Sequence, residues 1–141
     1  MFFLEVYLFT CLCNFAENAN IVAITPTPFF THQAAFRPLW RALAKRGHNV
    51  TLITTDPMLP HENITQIDIS ETYTISEKYK TNGTLFEPNL WKNVMKFIDL
   101  TDDMVKFQLT HPKIIQMKDP KNYHCHLILT ELYMPSYFAL G

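Results

Sequence analysis

The stretch NIVAITPTPFFTHQAAFRPLWRALAKRGHNVTLITTD, residues 20–56, constrains the fold more than any other part of the chain. Two short runs rich in β-branched residues, 20–25 and 48–55, bracket a segment where Phe36, Leu39, Trp40, Leu43 and Ala44 recur at three- and four-residue spacing. The runs read as buried strands, and the spacing places one apolar stripe on a helix over 33–46. Gly47 stands where a C′ residue would close that helix. Strand, helix and strand in so short a span form a βαβ unit, whose right-handed crossover makes the two strands parallel.

His32 falls where the first strand has ended and the helix begins. Open parallel sheets bind ligands in the crevice beyond the carboxyl ends of their strands, so His32 is expected to face that crevice. The positive end of the helix dipole disfavours an imidazolium there, and a neutral imidazole is a usable base. The plainer reading is a polar residue near a helix cap. Residues 26–31 contain no glycine, so the loop is not a G-x-G-x-x-G dinucleotide loop. A nicotinamide-dependent oxidoreductase fails on that loop and on Thr54-Thr55-Asp56, where Asp56 alone could meet a ribose.

A third strand is expected within 63–70, where Ile67 and Ile69 alternate with Asp68. Residues 70–87 read as a long polar loop with one short helical turn. A second helix over 89–110 places Leu90, Val94, Phe97, Ile98, Thr101, Met104 and Val105 on one stripe, with Trp91 and Met95 widening it as ordinary core. Pro88 suits its first turn, and 113–118 reads as a further short helix after Pro112. Residues 126–130 read as a fourth parallel strand. Glu131, at its carboxyl end, then lies on the same sheet edge as His32. Residues 136–141 resemble the start of a helix that would cover the last strand. The expected fold class is α/β, a Rossmann-like parallel sheet that is incomplete.

At 141 residues and 48% hydrophobic content the chain can hold one domain with a sizeable core. A net charge of -1, with both signs mixed, offers no basic patch for nucleic acid. Residues 1–19 read as a signal peptide, with an apolar run at 6–13 and small residues at Ala16 and Ala19, although Glu5 and the lack of Lys or Arg depart from the usual n-region. The run is too short to span a bilayer. Its removal would take Cys11 and Cys13, leaving Cys125 without an intrachain partner. Sequons occur at Asn49, Asn63 and Asn82. Asn63 and Asn82 are the candidate glycosylation sites, since Asn49 opens a strand expected to be buried.

His32 and Glu131 together form the constellation that could carry chemistry. A carboxylate that orients an imidazole fixes its tautomer and stabilises the imidazolium formed when the other nitrogen takes a proton. His124 and His126 flank Cys125, but no further ligand cluster accompanies them, so no metal is expected. Ser136 lacks a G-x-S-x-G context and supports no hydrolase elbow.

With its leader, the strand NIVAIT, the loop ending in Thr31-His32, the helix carrying Phe36-x-Pro38-Leu39 and the block LAKRGHNVTLIT at 43–54, the chain resembles the N-terminal half of the UDP-glycosyltransferases. This is the UDP-glucuronosyltransferase family, and the likeness is greatest to its insect members. The resemblance implies a GT-B fold of two facing Rossmann-like domains, of which 20–141 would be a truncated acceptor-binding domain, without the UDP-sugar domain. It implies that His32 removes the proton from an acceptor hydroxyl, which attacks the anomeric carbon of UDP-glucose or UDP-glucuronic acid with inversion. An acidic residue after a later strand orients the base. Glu131 matches that position approximately, where many members carry aspartate.

No cofactor or metal beyond the donor substrate is implied. Phe29, Phe30, Thr31, Phe86 and Trp91 become candidates for binding a small lipophilic acceptor. The resemblance further implies the endoplasmic reticulum lumen, a membrane anchor in the full-length protein, and oligomers with other UDP-glycosyltransferases. The chain alone is expected to be inactive. The competing reading is a non-catalytic lumenal or secreted isoform that binds a ligand or regulates full-length enzymes.

Overall fold

The computed structural model describes residues 18–81, 83–119, 121 and 123–131. Most of the expected leader with Cys11 and Cys13, the sequon residue Asn82, Ser136 and the expected helix start at 136–141 lie outside the described residues.

Four parallel strands form the sheet: β1 (Asn20–Thr25), β2 (Asn49–Thr54), β3 (Ile64–Asp68) and β4 (Leu127–Thr130), in the order β3-β2-β1-β4. Helix α1 (Phe30–Lys45) crosses from β1 to β2, and α2 (Thr72–Lys78), α3 (Leu90–Leu109) and α4 (Pro112–Met117) lie between β3 and β4. The chain steps outward from β1 to β3 and then returns to the other side of β1. The order therefore reverses between β1 and β4, the topological switch point of a doubly wound sheet.

The core has two layers, one on each face of the sheet, as the alternation of strand side chains requires. Val22, Ile24, Ile53, Ile67 and Ile69 pack with Leu100, Met104, Val105 and Ile114 from the helices after β3. Ala23, Val50 and Leu52 face the other way, onto Trp40 and Ala44 of α1 and onto Met58. The βαβ unit closes as its sequence requires. Gly47, at φ +92°, donates from its N–H to the Ala44 carbonyl, and the His48 N–H reaches the Leu43 carbonyl, the paired bonds of a Schellman C-cap. A side chain at this left-handed position would be strained, and its Cβ would come within 2.7 Å of Asn18 Oδ1.

Several expectations are corrected. Helix α1 begins at Phe30 rather than 33, so His32 sits inside its first turn. Its buried residues are Gln33, Trp40 and Ala44, whereas Phe36 and Leu39 are exposed. The face toward the sheet is thus narrower than the apolar stripe. In place of a polar loop with one short turn, residues 72–78 form the seven-residue α2, whose buried positions are Thr72 and Ser76. Its fully buried positions are polar and only Ile75 among its residues packs partly against the core, so no apolar period announces it. Only the second half of α3 is sealed, at Leu100, Met104, Val105 and Gln108, because that half lies against the sheet core. Leu90, Trp91, Val94, Met95, Phe97 and Ile98 are exposed, so Trp91 and Met95 are not core. Asn49 is also exposed, since β2 becomes buried only from Val50 onward.

Candidate functional site

Adjacent parallel strands deliver their loops to one edge, and here β1 and β4 run side by side with Ile24 opposite Thr130. The Glu131 N–H continues the ladder one step further by donating to the Ile24 carbonyl. This places Glu131 at the switch point, against the loop that leads from β1 into α1. The Thr27 hydroxyl of that loop donates a hydrogen bond to Glu131 Oε2. Glu131 Oε1 is buried with no hydrogen-bond partner among the described residues. It lies 3.9 Å from His32 Nδ1, an ion-pair distance too long for a hydrogen bond. The His32 side chain is 41% exposed and that of Glu131 5%, so the carboxylate is sequestered while the ring reaches solvent. A solvent-facing imidazole backed by a buried carboxylate can take a proton from a bound hydroxyl.

Next to His32 lies an apolar cavity of about 70 Å³, walled by Phe29, Leu85, Phe86, Phe97 and Met104 among others. That is well below the roughly 300–1,000 Å³ of a site that encloses a drug-sized ligand, so by itself it accepts an apolar edge. The Phe29 and His32 rings are 5.7 Å apart. Of the candidate binding residues, Phe29 and Phe86 therefore share one cavity with His32. Phe30 points elsewhere, 56% exposed and stacked under the Arg37 guanidinium at 5.0 Å. Thr31 is exposed and does not line the cavity. Trp91 lines a separate open groove with Tyr79, Met95 and Lys96. Asn63 is exposed, at φ +60°, with its side-chain amide directed to the Ala44 carbonyl.

Two buried glutamines that sequence reasoning missed shape this edge. Gln33 Nε2 donates to the carbonyls of Thr25 (2.6 Å) and Thr27 (3.0 Å) and reaches Thr55 Oγ1 (3.2 Å), while its Oε1 accepts from Thr54 Oγ1 (2.7 Å). Gln108 Nε2 donates to the Pro26 carbonyl (2.9 Å) and to Thr72 Oγ1 (3.1 Å). The available signal for Gln33 was its place two turns before Trp40, on the same side of α1 as Trp40 and Ala44. Asp56, at the end of β2, accepts from the Tyr73 hydroxyl with both oxygens. Burial first, and then that bond, push the Tyr73 hydroxyl up to about 12. Asp56 is thus engaged within the protein. At the opposite edge the His124 and His126 rings meet edge-on at 4.8 Å, and His126 Nδ1 accepts the Asn20 N–H.

Comparison with curated proteins gives the following relatives. The UDP-glucosyltransferase 2 of Dactylopius coccus is 26% identical over 121 residues, 81% of this chain and 23% of that protein. The ecdysteroid UDP-glucosyltransferase of Lacanobia oleracea granulosis virus is 24% identical over 99% of this chain and 31% of its own length. That of Lymantria dispar multicapsid nuclear polyhedrosis virus is 51% identical over 45 residues, 30% of this chain and 9% of its own. The chain is similar in sequence to UDP-glucosyltransferases over part of their length. It spans 23% and 31% of the length of the two curated relatives that it matches most fully. No protein-family model matches the chain, and no solved structure gives a significant match. For a glycosyltransferase relative, the four-stranded parallel sheet with its switch point is the Rossmann-like arrangement anticipated from the sequence.

Proposed function

We propose that this chain is the acceptor-binding part of a UDP-glycosyltransferase, with His32 as general base and Glu131 as its orienter. The observation that carries the proposal is the meeting of these two side chains, 99 positions apart, across the switch point beside an apolar cavity. The acceptor hydroxyl gives its proton to His32. The acceptor oxygen then forms a bond to the anomeric carbon of the donor as the bond from that carbon to the diphosphate breaks, with inversion. Glu131 stabilises the resulting imidazolium, and UDP carries away the leaving electron pair. The 3.9 Å separation shortens to a hydrogen bond as charge develops on the ring.

UDP-glucose is the proposed donor rather than UDP-glucuronic acid, because the relatives are named as glucosyltransferases. Its binding is assigned to a second domain outside this chain. The acceptor is a small lipophilic alcohol or phenol, consistent with the apolar walls beside His32. Several relatives are named for ecdysteroids, so ecdysone belongs among the acceptors to test. We further propose a lumenal location, on the leader-like residues 1–19 and the sequons at Asn63 and Asn82. No helix among the described residues is long and apolar enough to cross a membrane.

The test is His32→Ala in a full-length polypeptide carrying this chain, with UDP-glucose and either 4-nitrophenol or ecdysone. Turnover is expected to fall by about 10²–10⁴-fold with acceptor affinity nearly unchanged, as for loss of a general base. Unchanged turnover would remove His32 from the mechanism. Absence of transfer by the wild-type full-length protein would favour a ligand-binding role.

A further inference from the structure

The loop between β1 and α1 is built in a way that a simple connection does not need. It contains no glycine, and Pro26 and Pro28 fix two of its φ angles. Three successive carbonyls at its start, from Thr25 at the end of β1 and from Pro26 and Thr27, are each gripped by a side-chain amide: Gln33 from α1 holds the first and third, and Gln108 from α3 the second. Thr55 Oγ1, from the end of β2, adds a second donor to the Thr27 carbonyl at 3.1 Å. Elements on both faces of the sheet thus converge on a four-residue loop. The one side chain of that loop that reaches across to β4 is Thr27, 7% exposed, through its bond to Glu131 Oε2.

Building on the reading of His32 and Glu131 as base and orienter, we propose that Thr27 is a positioning residue whose hydroxyl holds Glu131 with its second carboxylate oxygen toward the His32 ring. A glutamate carries one more rotatable bond than an aspartate, so a carboxylate on this longer arm is less well placed by its backbone alone. Tying Oε2 to Thr27 stops rotation about the last bond from exchanging the two oxygens. It leaves Oε1, buried and without a hydrogen-bond partner among the described residues, as the oxygen 3.9 Å from His32 Nδ1. Gln33 and Gln108 set the height of Thr27 by fixing its loop. The arrangement is one of a rigid supporting shell around a reacting group, in which small displacements of the group are costly to rate.

The alternative role for the Thr27 hydroxyl is structural, as a donor that merely satisfies a buried carboxylate. The two roles separate in a background that already lacks the base. In a full-length polypeptide carrying this chain, with UDP-glucose and 4-nitrophenol, Thr27→Val should lower kcat by about 10- to 100-fold with KM for 4-nitrophenol changed by about twofold or less. Thr27→Ser, which restores a hydroxyl, should recover most of the loss. Added to His32→Ala, Thr27→Val should cause no further loss, because there is no imidazole left to orient. Thr27→Ala serves the same comparison if the valine variant does not fold.

Wild-type kcat in Thr27→Val would overturn the inference while leaving the His32 reading intact. Equal losses in the His32→Ala and wild-type backgrounds would also overturn it, by showing a structural role. Full activity of His32→Ala would overturn both the inference and the reading beneath it.

Discussion

Gln33→Leu is the substitution that most directly tests how the crevice edge is built. Leucine occupies a volume close to that of glutamine, so the change removes polar atoms without opening a large cavity. The site is 3% exposed, and no water can replace the lost partners. Two amide hydrogens and one amide oxygen disappear, and with them the bonds to the Thr25 and Thr27 carbonyls and from the Thr54 hydroxyl. At about 1 kcal/mol net for each neutral hydrogen bond the loss is about 3 kcal/mol. The Thr27 carbonyl keeps the Thr55 hydroxyl and the Phe29 N–H as donors, which lowers the expectation to about 2–3 kcal/mol.

Urea unfolding followed by tryptophan fluorescence measures this. Trp40 is 4% exposed and reports loss of the core, whereas Trp91, at 77%, changes little. Gln116→Leu, on the exposed surface of α4, is the control and should shift stability by about 0.5 kcal/mol or less. A Gln33→Leu protein as stable as that control would refute the argument that buried amides hold the loop. Gln33→Glu should destabilise at neutral pH, where a carboxylate would face two carbonyl oxygens, and should regain part of the loss in acid as the protonated group becomes a donor again.

Other expectations follow from the same structure. Ile53, fully buried in the layer beneath α3, should cost about 2–5 kcal/mol when cut to alanine, measured by the same unfolding assay, while Ile115→Ala on the exposed side of α4 should change little. The Tyr73 hydroxyl, held up to about 12 by burial and by Asp56, ionises nearer 10 in the unfolded chain, so its stabilisation is complete below pH 10 and is lost as pH rises through 12. Tyr73→Phe should flatten that alkaline decline, leaving the shares due to Tyr79, which its bond to Asp103 also holds up to about 12, and to Tyr123, which burial pushes up. An alkaline unfolding curve of unchanged steepness would contradict it.

The parts of the fold that could be read from the chain are those where burial and backbone signals coincide. β1, α1 and β2 were legible because β-branched runs flank a helix whose end is marked by Gly47, and the structure uses that glycine at positive φ. β4 and the position of Glu131 followed from one apolar run and the rule for parallel sheets. Helix α2 was not legible, because Thr72 and Ser76 face inward and the Thr72 hydroxyl is held by Gln108 rather than by apolar packing. The period of α3 was visible along its whole length, but a period cannot say which half meets a partner. Trp91 and Met95 therefore read as core and stand exposed. Gln33 and Gln108 escaped notice because glutamine is usually a surface residue, and only the assembled loop supplies the carbonyls that justify burying them.

The central claim is that His32 and Glu131 act as one unit, and a double-variant cycle on kcat in the full-length polypeptide tests it most directly. Residues that work together lose their effects non-additively. Glu131→Gln should slow transfer, His32→Ala should slow it more, and the double variant should be no slower than His32→Ala alone. Losses that multiply in the double variant, or a Glu131→Gln protein with wild-type turnover, would contradict the account.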